Sequence, residues 1–418
     1  MTATFPRTAS YEADPENVRR VLLLYSGGLD TSVMLKWIQE KYGAEVVALT
    51  IDLGQPGEDY DVVRAKALEL GAVDARVVDA RDEFARDYVF PAIKANGIYG
   101  LGYPLFTALG RPLISLKAVQ QAREAGCETI AHGCTGKGND QVRIEGTIAT
   151  LAPELNVIAP VRTWQMGREE EIAYAREHGI RLKGSTEVAP YSIDDNLWGR
   201  SSEGRWIEEL DHAPEDDVFR LVTRPEEAPD EAEVITVTFE RGLPVALDGE
   251  RLGLVELLER AGSIGARHGV GIVDHIEDRV VGLKVRDIYE VPAAAIVLSA
   301  HQELERLVGT GHQNQLKPTL DQRWAYLVYA GLWWEPLRED LDAYMDAANE
   351  QVTGTIGLKL YKGSVRVATR ESENAVYDAQ LATFSESGGL FSQAASPGFI
   401  ELFTLQSRMA WRLRHERE

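Results

Sequence analysis

Apolar and polar residues follow two different periods along the first half of the chain. Val21–Tyr25 is a nearly unbroken apolar run, as expected for a strand that is covered on both faces, and Met34, Leu35 and Ile38 then follow with helical spacing. Further strands are predicted at Glu45–Asp52, Ala75–Asp79, Thr129–Ala131 and Val157–Ala159, and further helices at Asp59–Leu70, Asp82–Ala95, Arg111–Ala125, Asp140–Leu151 and Arg168–His178. Because strands and helices alternate in this way, we expect an α/β fold with a doubly wound parallel sheet and helices on both of its faces.

The pattern changes after about Lys183. Tyr191–Arg205 is polar and rich in serine and glycine, which predicts a loop, and Asp211–Glu233 is acidic and contains several prolines, which predicts an irregular connection. Strands are predicted at Val234–Glu240 and in a hairpin of Gln351–Tyr361 and Ser364–Ser372 that turns at Lys362-Gly363, and helices at Leu252–His268, Pro292–Leu307, Thr319–Leu332 and Pro336–Asn349. These elements indicate a separate α+β domain, and the apolar positions within Phe399–Glu418 indicate a terminal helix.

The chain divides into four segments on this basis. A length of 418 residues favours two domains over one. We expect a flexible polar arm at 1–20, the α/β domain at 21–185, the α+β domain at 186–397 and an oligomerisation helix at 398–418.

Composition and charge argue against several classes of partner. A net charge of −22 argues against a nucleic acid, whose phosphates the protein would repel. The first twenty residues contain Glu12, Asp14 and Glu16 and no apolar core, so they do not form a signal peptide, and no apolar run is long enough to span a membrane. Cys127 and Cys134 are the only cysteines, too few for a disulfide framework or a four-cysteine zinc site. We expect a cytoplasmic protein without nucleic-acid or membrane partners.

A glycine-rich turn connects the first strand to the first helix. Ser26-Gly27-Gly28 follows the strand, and Leu29-Asp30-Thr31-Ser32 begins the helix. Backbone N–H groups and the positive end of the helix dipole bind phosphate at such turns. Ligands of doubly wound sheets bind at the carboxyl ends of strands, here near Ser26, Asp52 and His132. The turn matches neither a Walker A loop nor a dinucleotide-binding turn. It resembles the pyrophosphate loop of ATP pyrophosphatases, which split ATP into AMP and pyrophosphate.

A second group of polar residues lies in the connection Ala131–Arg143. Its three glycines permit a ligand to approach the backbone closely, and Lys137 and Arg143 can meet negative charge. Asn139 and Asp140 can position polar groups. So many different polar groups in one strand-to-helix connection predict a second part of the binding site.

Four motifs occur in a fixed order along the chain. They are SGGLDTS at 26–32, HGCTGKGNDQVR at 132–143, YSIDDNLWGRS at 191–201 and VGIVDHIEDRVVGLKVRDIYE at 270–290. On these motifs the chain resembles the argininosuccinate synthases from residue 21 to about residue 407. The resemblance implies a first domain like that of the adenine nucleotide α-hydrolases, a second domain for synthesis and multimerisation, and a ligase of arginine biosynthesis that joins L-citrulline to L-aspartate. In that reaction the ureido oxygen of citrulline attacks the α-phosphate of ATP, pyrophosphate leaves, and the aspartate amine then displaces AMP from citrullyl-adenylate.

The resemblance also implies roles for individual residues. ATP would be bound by Leu24, Tyr25, Ser26, Gly27, Gly28, Leu29, Asp30, Thr31, Ser32, Ile51 and Gly133. Citrulline would be bound by Tyr103, Thr107, Ala108, Asn139, Arg143, Ser192, Ser201, Glu277 and Tyr289, and aspartate by Thr135, Asn139 and Asp140. Asp30 and Lys137 would contribute to catalysis by electrostatic positioning. ATP with Mg²⁺ would be the cofactor, without a prosthetic group, and the protein would be a homotetramer in which the terminal helix reaches a neighbouring subunit.

Two positions depart from the family pattern. The family often has Thr-Ser-Leu-Ala-Arg-Pro where this chain has Thr107-Ala108-Leu109-Gly110-Arg111-Pro112, so a serine hydroxyl that could contact citrulline is absent. The family's Glu-Asn-Arg is replaced by Glu277-Asp278-Arg279, which keeps the glutamate. The first difference bears on citrulline affinity, and neither changes the expected reaction class.

Two alternatives stay open at the level of sequence. The first is another ATPase with a pyrophosphate loop, acting in tRNA thiolation, GMP synthesis or NAD synthesis. The acidic composition argues against the first of these, and the chain has no segment of spare length for the glutaminase domain that a glutamine-dependent amidotransferase needs. The second alternative is a nucleotide-binding module without catalysis. Consumption of ATP with and without citrulline and aspartate separates these alternatives from a synthase.

Overall fold

Five strands of the first domain form a parallel sheet. The structure, a computed structural model, describes residues 8–100, 102–164, 166–181, 191–382 and 392–416. The strands are β1 (Arg20–Leu24), β2 (Glu45–Asp52), β3 (Asp74–Asp79), β4 (Thr129–Ala131) and β5 (Asn156–Ile158), in the order β3-β2-β1-β4-β5. Alternate residues of β1 belong to different core clusters, Leu22 to one and Val21 and Leu23 to the other. Burial on both faces explains the unbroken apolar run, and the predicted parallel α/β sheet is confirmed.

Helices connect these strands. They are α1 (Leu29–Tyr42), α2 (Tyr60–Glu69), α3 (Arg81–Phe84), α4 (Phe90–Lys94), α5 (Phe106–Ala125), α6 (Asp140–Leu151), α7 (Pro160–Thr163) and α8 (Arg168–Glu177). A π-helical turn, Ala85–Val89, joins α3 to α4 within the predicted helix Asp82–Ala95. Helix α5 begins at Phe106 and not at the predicted Arg111, because it continues through Pro112, a residue that usually ends or begins a helix.

The predicted arm at 1–20 makes contacts where the structure describes it. Glu12 forms a parallel bridge with Val157, and the Ala13 N–H donates to the Val157 carbonyl at 3.0 Å. Val18 is buried in the same core cluster as Val21 and Leu23. The contacts of Glu12 and Ala13 lie at β5, on the edge of the parallel sheet. The predicted division at 185/186 lies outside the described residues.

The later part of the chain forms two antiparallel sheets. One contains β8 (Glu233–Glu240), β9 (Leu243–Leu247), β10 (Glu250–Arg251), β13 (Gly354–Tyr361) and β14 (Ser364–Glu371), in the order β10-β9-β8-β13-β14. The other contains β6 (Ser192–Asn196), β7 (Gly199–Glu203), β11 (Ile272–Asp278) and β12 (Lys284–Glu290), in the order β11-β12-β7-β6. The hairpin at Lys362-Gly363 is confirmed. The prediction of a loop at Tyr191–Arg205 is wrong, since β6 and β7 form a hairpin there.

Four long helices accompany these sheets in the described part of the chain. They are α9 (Leu254–Arg267), α10 (Pro292–Val308), α11 (Gly311–Tyr329) and α12 (Pro336–Asn349). Helix α11 begins eight residues before the predicted Thr319. Thr310 and Gln313 form a capping box there, in which each side chain accepts a hydrogen bond from the other's backbone N–H. One core cluster contains residues of the parallel sheet, such as Leu22, together with residues of β8, such as Ile235.

Residues 375–418 separate from residues 1–374 as a second compact unit. Its described helices are α13 (Ala379–Ala382), α14 (Ser396–Phe403) and α15 (Leu405–His415), with a 3₁₀ turn at Gln393–Ala395. The single terminal helix predicted within Phe399–Glu418 is therefore two helices, which meet at Thr404.

None of the described helices combines the length and the apolar character needed to cross a membrane.

Candidate active site

A cavity of about 640 Å³ lies at the carboxyl ends of β1, β2 and β4. Its lining includes Ser26 and His132, as expected from the position of these residues after strands. Asp52 is not in this lining and belongs instead to a neighbouring cavity of about 510 Å³, where its Oδ1 accepts from the Gly54 N–H at 2.8 Å and from the Tyr60 hydroxyl at 3.0 Å. Ile51 and Gln55 line the first cavity, so that cavity lies near the end of β2 as expected, although Asp52 itself does not line it.

The second wall of the cavity is one face of the sheet β11-β12-β7-β6. Strand register pairs Tyr289 with Ser201, and Ser201 with Asp194, so these side chains share a face. The same register pairs Glu203 with Ser192. The side chains of this face that line the cavity are Ser192, Asp194, Ser201, Glu203, Glu277, Asp287 and Tyr289.

The turn after β1 is shaped to leave backbone groups available to a ligand. Gly27 has a φ of +75°, and a Cβ there would lie 3.2 Å from the Val63 methyl groups, so glycine is required on both counts. Ser32 is fully buried and its hydroxyl donates to the Gly28 carbonyl at 2.6 Å. The N–H groups of the first turn of α1 have no partner within the helix, as at any helix N-terminus. The turn therefore has the properties of an anion site.

Side chains at the same turn add charge and hydroxyl groups. The Ser26 and Thr31 hydroxyls lie 3.2 Å apart, and Asp30 pairs with Arg168 at 2.9 Å. Burial and the Asp30 carboxylate raise the pKa of Glu171 to about 8.

Another wall is formed by β2 and by the start of the connection Ala131–Arg143, which we call the second loop. This wall is more apolar. Leu24, Leu49 and Ile51 line it together with Gly133. A Cβ on Gly133 would lie 2.7 Å from the Met34 Cε, so a side chain there would force the end of the Met34 side chain to move. A flat apolar wall beside an anion-binding turn suits a nucleotide base and its phosphates.

His132 has a structural environment. Its Nδ1 accepts from the Cys134 N–H at 3.2 Å, which leaves the proton on Nε2 for Glu145, 2.9 Å away. Arg162 pairs with the same Glu145 at 2.7 Å. These contacts orient the second loop.

Asp140 lies between two arginines. The Arg111 Nε donates to its Oδ2 at 2.8 Å, and the Arg143 Nη1 donates to its Oδ1 at 2.9 Å. Burial alone would raise the pKa of Asp140, but the charges of Arg111 and Arg143 outweigh burial and hold that pKa far below its usual range. Arg111 also pairs with Asp194 of the facing sheet. Asp140 is therefore a permanent carboxylate that fixes the position of both guanidinium groups.

Arg143 is held by contacts that leave one donor unused. Its Nε donates to the Tyr329 carbonyl at 3.0 Å, and the guanidinium lies 5.1 Å from the centre of the Tyr329 ring. The Arg143 Nη2 is buried and has no acceptor among the described residues. A rigidly held, unsatisfied donor in a cavity wall suits a carboxylate or carbonyl oxygen of a ligand.

Glu277 is the centre of a buried hydrogen-bond network. Its Oε2 accepts from the Tyr289 hydroxyl at 2.6 Å, and its Oε1 accepts from the Tyr329 hydroxyl at 2.7 Å and from Asn139 Nδ2 at 3.1 Å. Asn139 in turn accepts the Val280 N–H at 2.9 Å. The network fixes the second loop against the sheet.

Tyr103 and Thr107 extend this wall. The Tyr103 ring stacks on Tyr289 with 4.5 Å between centroids, and its hydroxyl contacts the Thr107 hydroxyl. The Thr107 N–H also donates to the Tyr103 hydroxyl, at 3.0 Å. Both side chains line the cavity.

The cavity brings together most residues that the resemblance implied, but four lie outside its lining. Those in the lining are Leu24, Tyr25, Ser26, Gly28, Leu29, Asp30, Thr31, Ile51, Tyr103, Thr107, Gly133, Thr135, Asn139, Asp140, Arg143, Ser192, Ser201, Glu277 and Tyr289. Gly27, Ser32, Ala108 and Lys137 are the exceptions. Ala108 is fully buried, and its N–H donates to the Tyr103 hydroxyl at 3.2 Å, whereas Lys137 is exposed.

Several residues of the site were missed by sequence reasoning. They are Arg111, Asp194, Glu203, Arg279, Asp287 and Tyr329, of which all except Tyr329 line the cavity. The segments Ser192–Asn196 and Gly199–Glu203 are polar at nearly every position, so no alternation there marks Asp194 or Glu203 as facing the site. Nothing local indicates Tyr329, which reaches Glu277 from the end of α11.

Comparison with family models identifies the class of protein to which this chain belongs. The family model of the arginosuccinate synthase N-terminal HUP domain matches residues 20–181, which include the parallel sheet and the glycine-rich turn after β1. The model of the arginosuccinate synthase C-terminal domain matches residues 191–410. The first domain is thus a HUP domain, a class that supports ATP binding.

Individual relatives agree with both matches. The chain is 55% identical to an argininosuccinate synthase of Rubrobacter xylanophilus, with 93% of this chain and 94% of the relative covered. It is 48% identical to that of Pyrococcus furiosus, with 95% of each covered, and 47% identical to that of Methanocaldococcus jannaschii, with 96% of this chain and all of the relative covered. The chain belongs to the argininosuccinate synthase family, whose members are ligases of arginine biosynthesis.

Proposed function

We propose that the chain joins L-citrulline to L-aspartate in a reaction that converts ATP to AMP and pyrophosphate, with citrullyl-adenylate as intermediate. The observation that carries this proposal is one cavity with two unlike walls. An anion-binding turn at the end of β1 lines this cavity together with a sheet that carries carboxylates, serines and a tyrosine, and four arginines also line it: Arg111, Arg143, Arg168 and Arg279. A site for a nucleotide alone would not need the second wall.

The nucleotide would lie along the first wall. The turn Ser26–Ser32 would bind the phosphates through its backbone N–H groups, and the base would lie against Leu24, Ile51 and Gly133. Asp30 and the exposed Lys137 would act by positioning charge near the phosphates.

The two amino acids would lie on the opposite side. Citrulline would contact Arg143 and the face of the sheet that carries Ser192, Ser201, Glu277 and Tyr289. Aspartate would bind beside the second loop, at Thr135, Asn139 and Asp140. Because Asp140 is a carboxylate, it would accept from the ammonium group of aspartate and not contact its carboxylates.

The two steps need little from the protein beyond placement and charge. In the first step the citrulline ureido oxygen forms a bond to the α-phosphorus and pyrophosphate leaves, and donors at the turn would stabilise the charge that develops on it. In the second step the aspartate amine attacks the ureido carbon of citrullyl-adenylate and loses a proton. The bond from that carbon to the adenylate oxygen breaks, and AMP leaves. Holding amine and carbon together would supply much of the rate.

Mg²⁺ would enter with ATP. Hydroxyl and carboxylate oxygens at Ser26, Asp30 and Thr31 fit a hard cation that is bound mainly by substrate phosphates, and the metal would neutralise phosphate charge. In the described part of the chain, one group of three side chains is close enough together to hold a metal ion: Glu209, Asp211 and His212. These residues are exposed and do not line the cavity. That group gives no reason to propose a second, resident metal, and a prosthetic group is not part of the proposal.

The wider assignments are proposals of the same kind. Residues 21–185 would serve as the ATP-binding domain and 186–397 as the domain for synthesis and multimerisation, with 398–418 as an oligomerisation segment. We propose a cytoplasmic homotetramer without nucleic-acid or membrane partners.

The products of ATP cleavage test the proposed reaction. We expect AMP and pyrophosphate to form in equal amounts when ATP, citrulline and aspartate are present, and pyrophosphate release to require citrulline. Omission of each substrate in turn, with nucleotides separated by chromatography and pyrophosphate assayed separately, provides the measurement. ADP and phosphate as main products, or cleavage that is indifferent to citrulline, would contradict the proposal and favour another ATPase.

A further inference from the structure

Asp287 is a buried carboxylate of the cavity wall with too few donors. It lies on β12 with 5% of its surface exposed. Its Oδ2 lies 3.3 Å from the Tyr289 hydroxyl, whose one proton is donated at the shorter distance of 2.6 Å to Glu277, and 3.5 Å from the Arg279 Nη2. Its Oδ1 has no hydrogen-bond donor among the described residues. Buried polar atoms in proteins nearly always have a partner, so this oxygen suits a donor that a ligand supplies.

The charges around Asp287 are unbalanced. Glu203 and Glu277 line the same part of the cavity, and Arg279 pairs with Glu203 as well as with Asp287. His275 is the residue opposite Asp287 on β11. Burial, followed by the charges of Glu203 and Glu277, raises the pKa of Asp287 to about 7. A cation that bound there would relieve the repulsion between these carboxylates.

The same cavity holds one unsatisfied donor and one unsatisfied acceptor. The donor is the Arg143 Nη2 and the acceptor is the Asp287 Oδ1, and both atoms are buried. An α-amino acid carries a carboxylate and an ammonium group, which are the kinds of group that such a donor and such an acceptor bind. A ureido group carries no charge and would leave the excess of carboxylates unbalanced.

We propose that Asp287 is a positioning residue that accepts the α-ammonium group of the citrulline substrate. The inference rests on the proposed function, which puts citrulline against this wall. Binding of the cation favours the ionised carboxylate, so Asp287 gives up a proton when citrulline binds at neutral pH. Citrulline affinity therefore rises as pH increases from 6 to 8.

An analogue that lacks the amino group tests the contact. The probe is 5-ureidopentanoate, which keeps the carboxylate and the ureido group of citrulline. Isothermal titration calorimetry on the full-length protein gives the affinity of each compound. We expect the intact protein to bind citrulline about 10- to 100-fold more tightly than the analogue, as for loss of a charge-assisted hydrogen bond.

The Asp287→Asn variant should remove most of this preference. It keeps the size of the side chain, and we expect citrulline affinity to fall at least about tenfold while affinity for 5-ureidopentanoate and the KM for ATP change little. The matched control is Asp274→Asn, which makes the same change on the same hairpin at an exposed residue paired with Arg286. The control should behave like the unaltered protein.

The number of protons released when citrulline binds separates the two roles of Asp287. Substitution of Asp287 would not change this number if the residue had only a structural role. Titrations at pH 7 in two buffers with different ionisation enthalpies measure the protons released per citrulline bound. We expect on the order of half a proton from the unaltered protein and from Asp274→Asn, and markedly less from Asp287→Asn.

Three outcomes would overturn the inference. They are an Asp287→Asn variant that keeps the full preference for citrulline over the analogue, one that keeps the proton release, and one that loses only the aspartate-dependent step with citrulline binding intact. A failure of the proposed function is distinguishable from all of these, because the unaltered protein itself would then show no citrulline-dependent release of pyrophosphate.

Discussion

Replacing Arg143 with alanine should raise the KM for citrulline about 10- to 100-fold and leave the KM for ATP nearly unchanged. The variant removes the unsatisfied Nη2 donor from the cavity wall. A charge-assisted hydrogen bond contributes roughly 1.5–3 kcal/mol, which corresponds to that range of affinities. The turn that we propose binds ATP, Ser26–Ser32, leads into α1 and not into α6, so it keeps its own contacts. Initial rates of pyrophosphate release, with each substrate varied in turn, measure the effect.

Arg143→Lys separates charge from geometry at the same position. The native guanidinium reaches the Tyr329 carbonyl and Asp140 simultaneously, through Nε and Nη1. A lysine keeps the charge but lacks the planar fork, so it cannot reproduce both contacts and still present a third donor. We expect an intermediate KM for citrulline.

Arg123→Ala is the matched control for both variants. Arg123 is exposed on α5 and pairs with Glu154 at the surface, outside the cavity lining. It should leave all three KM values unchanged, because exposed ion pairs contribute little. Loss of ATP affinity in Arg143→Ala, with both amino-acid KM values unchanged, would contradict the assignment of Arg143 to the amino-acid wall.

The parallel sheet could be predicted because burial on two faces leaves a direct mark on the sequence. In β1 every residue after Arg20 is apolar, since alternate side chains enter different core clusters. The starts of α5 and α11 could not be predicted as well. Each helix contains a proline, Pro112 or Pro318, and the pattern before that proline was therefore not assigned to the helix.

The hairpin β6–β7 shows why a strand at a binding site is hard to recognise. Its residues between Ser192 and Glu203 are mostly polar, because one face of the hairpin lines the cavity. Rules that look for alternating apolar residues miss such a strand, since the alternation is between two kinds of polar or half-buried residue. The polar side chains reflect the needs of the ligand site and not those of the core.

The two walls of the candidate site could be predicted from the sequence to different extents. The turn Ser26–Ser32 carries its own physical explanation, as strand, glycine and helix N-terminus follow directly along the chain. The roles of Glu277 and Tyr289 rested on family resemblance alone. The pairing of Arg111 with Asp194, which are 83 positions apart, depends on how the hairpin packs against α5. No local pattern encodes such a contact.

Deletion of residues 396–418 should convert the proposed tetramer into a smaller species without unfolding the HUP domain. Helices α14 and α15 expose large apolar side chains, among them Phe399 at 64%, Phe403 at 75% and Trp411 at 58%. Helices of 8 and 11 residues are marginal on their own in water and need an apolar surface to pack on. In a closed symmetric assembly each such segment can be buried once per subunit.

Two point variants make this prediction more specific than the deletion. Trp411→Glu places a charge on an apolar position of α15, and Ser407→Glu places the same charge on the same helix at a polar position. We expect light scattering to show a reduced mass for the deletion and for Trp411→Glu, and the unaltered mass for Ser407→Glu. Binding of ATP, measured by calorimetry, should persist in all three, since the residues of the turn after β1 belong to the other compact unit of the chain. The same mass before and after the deletion would exclude these helices as the contact that holds the subunits together.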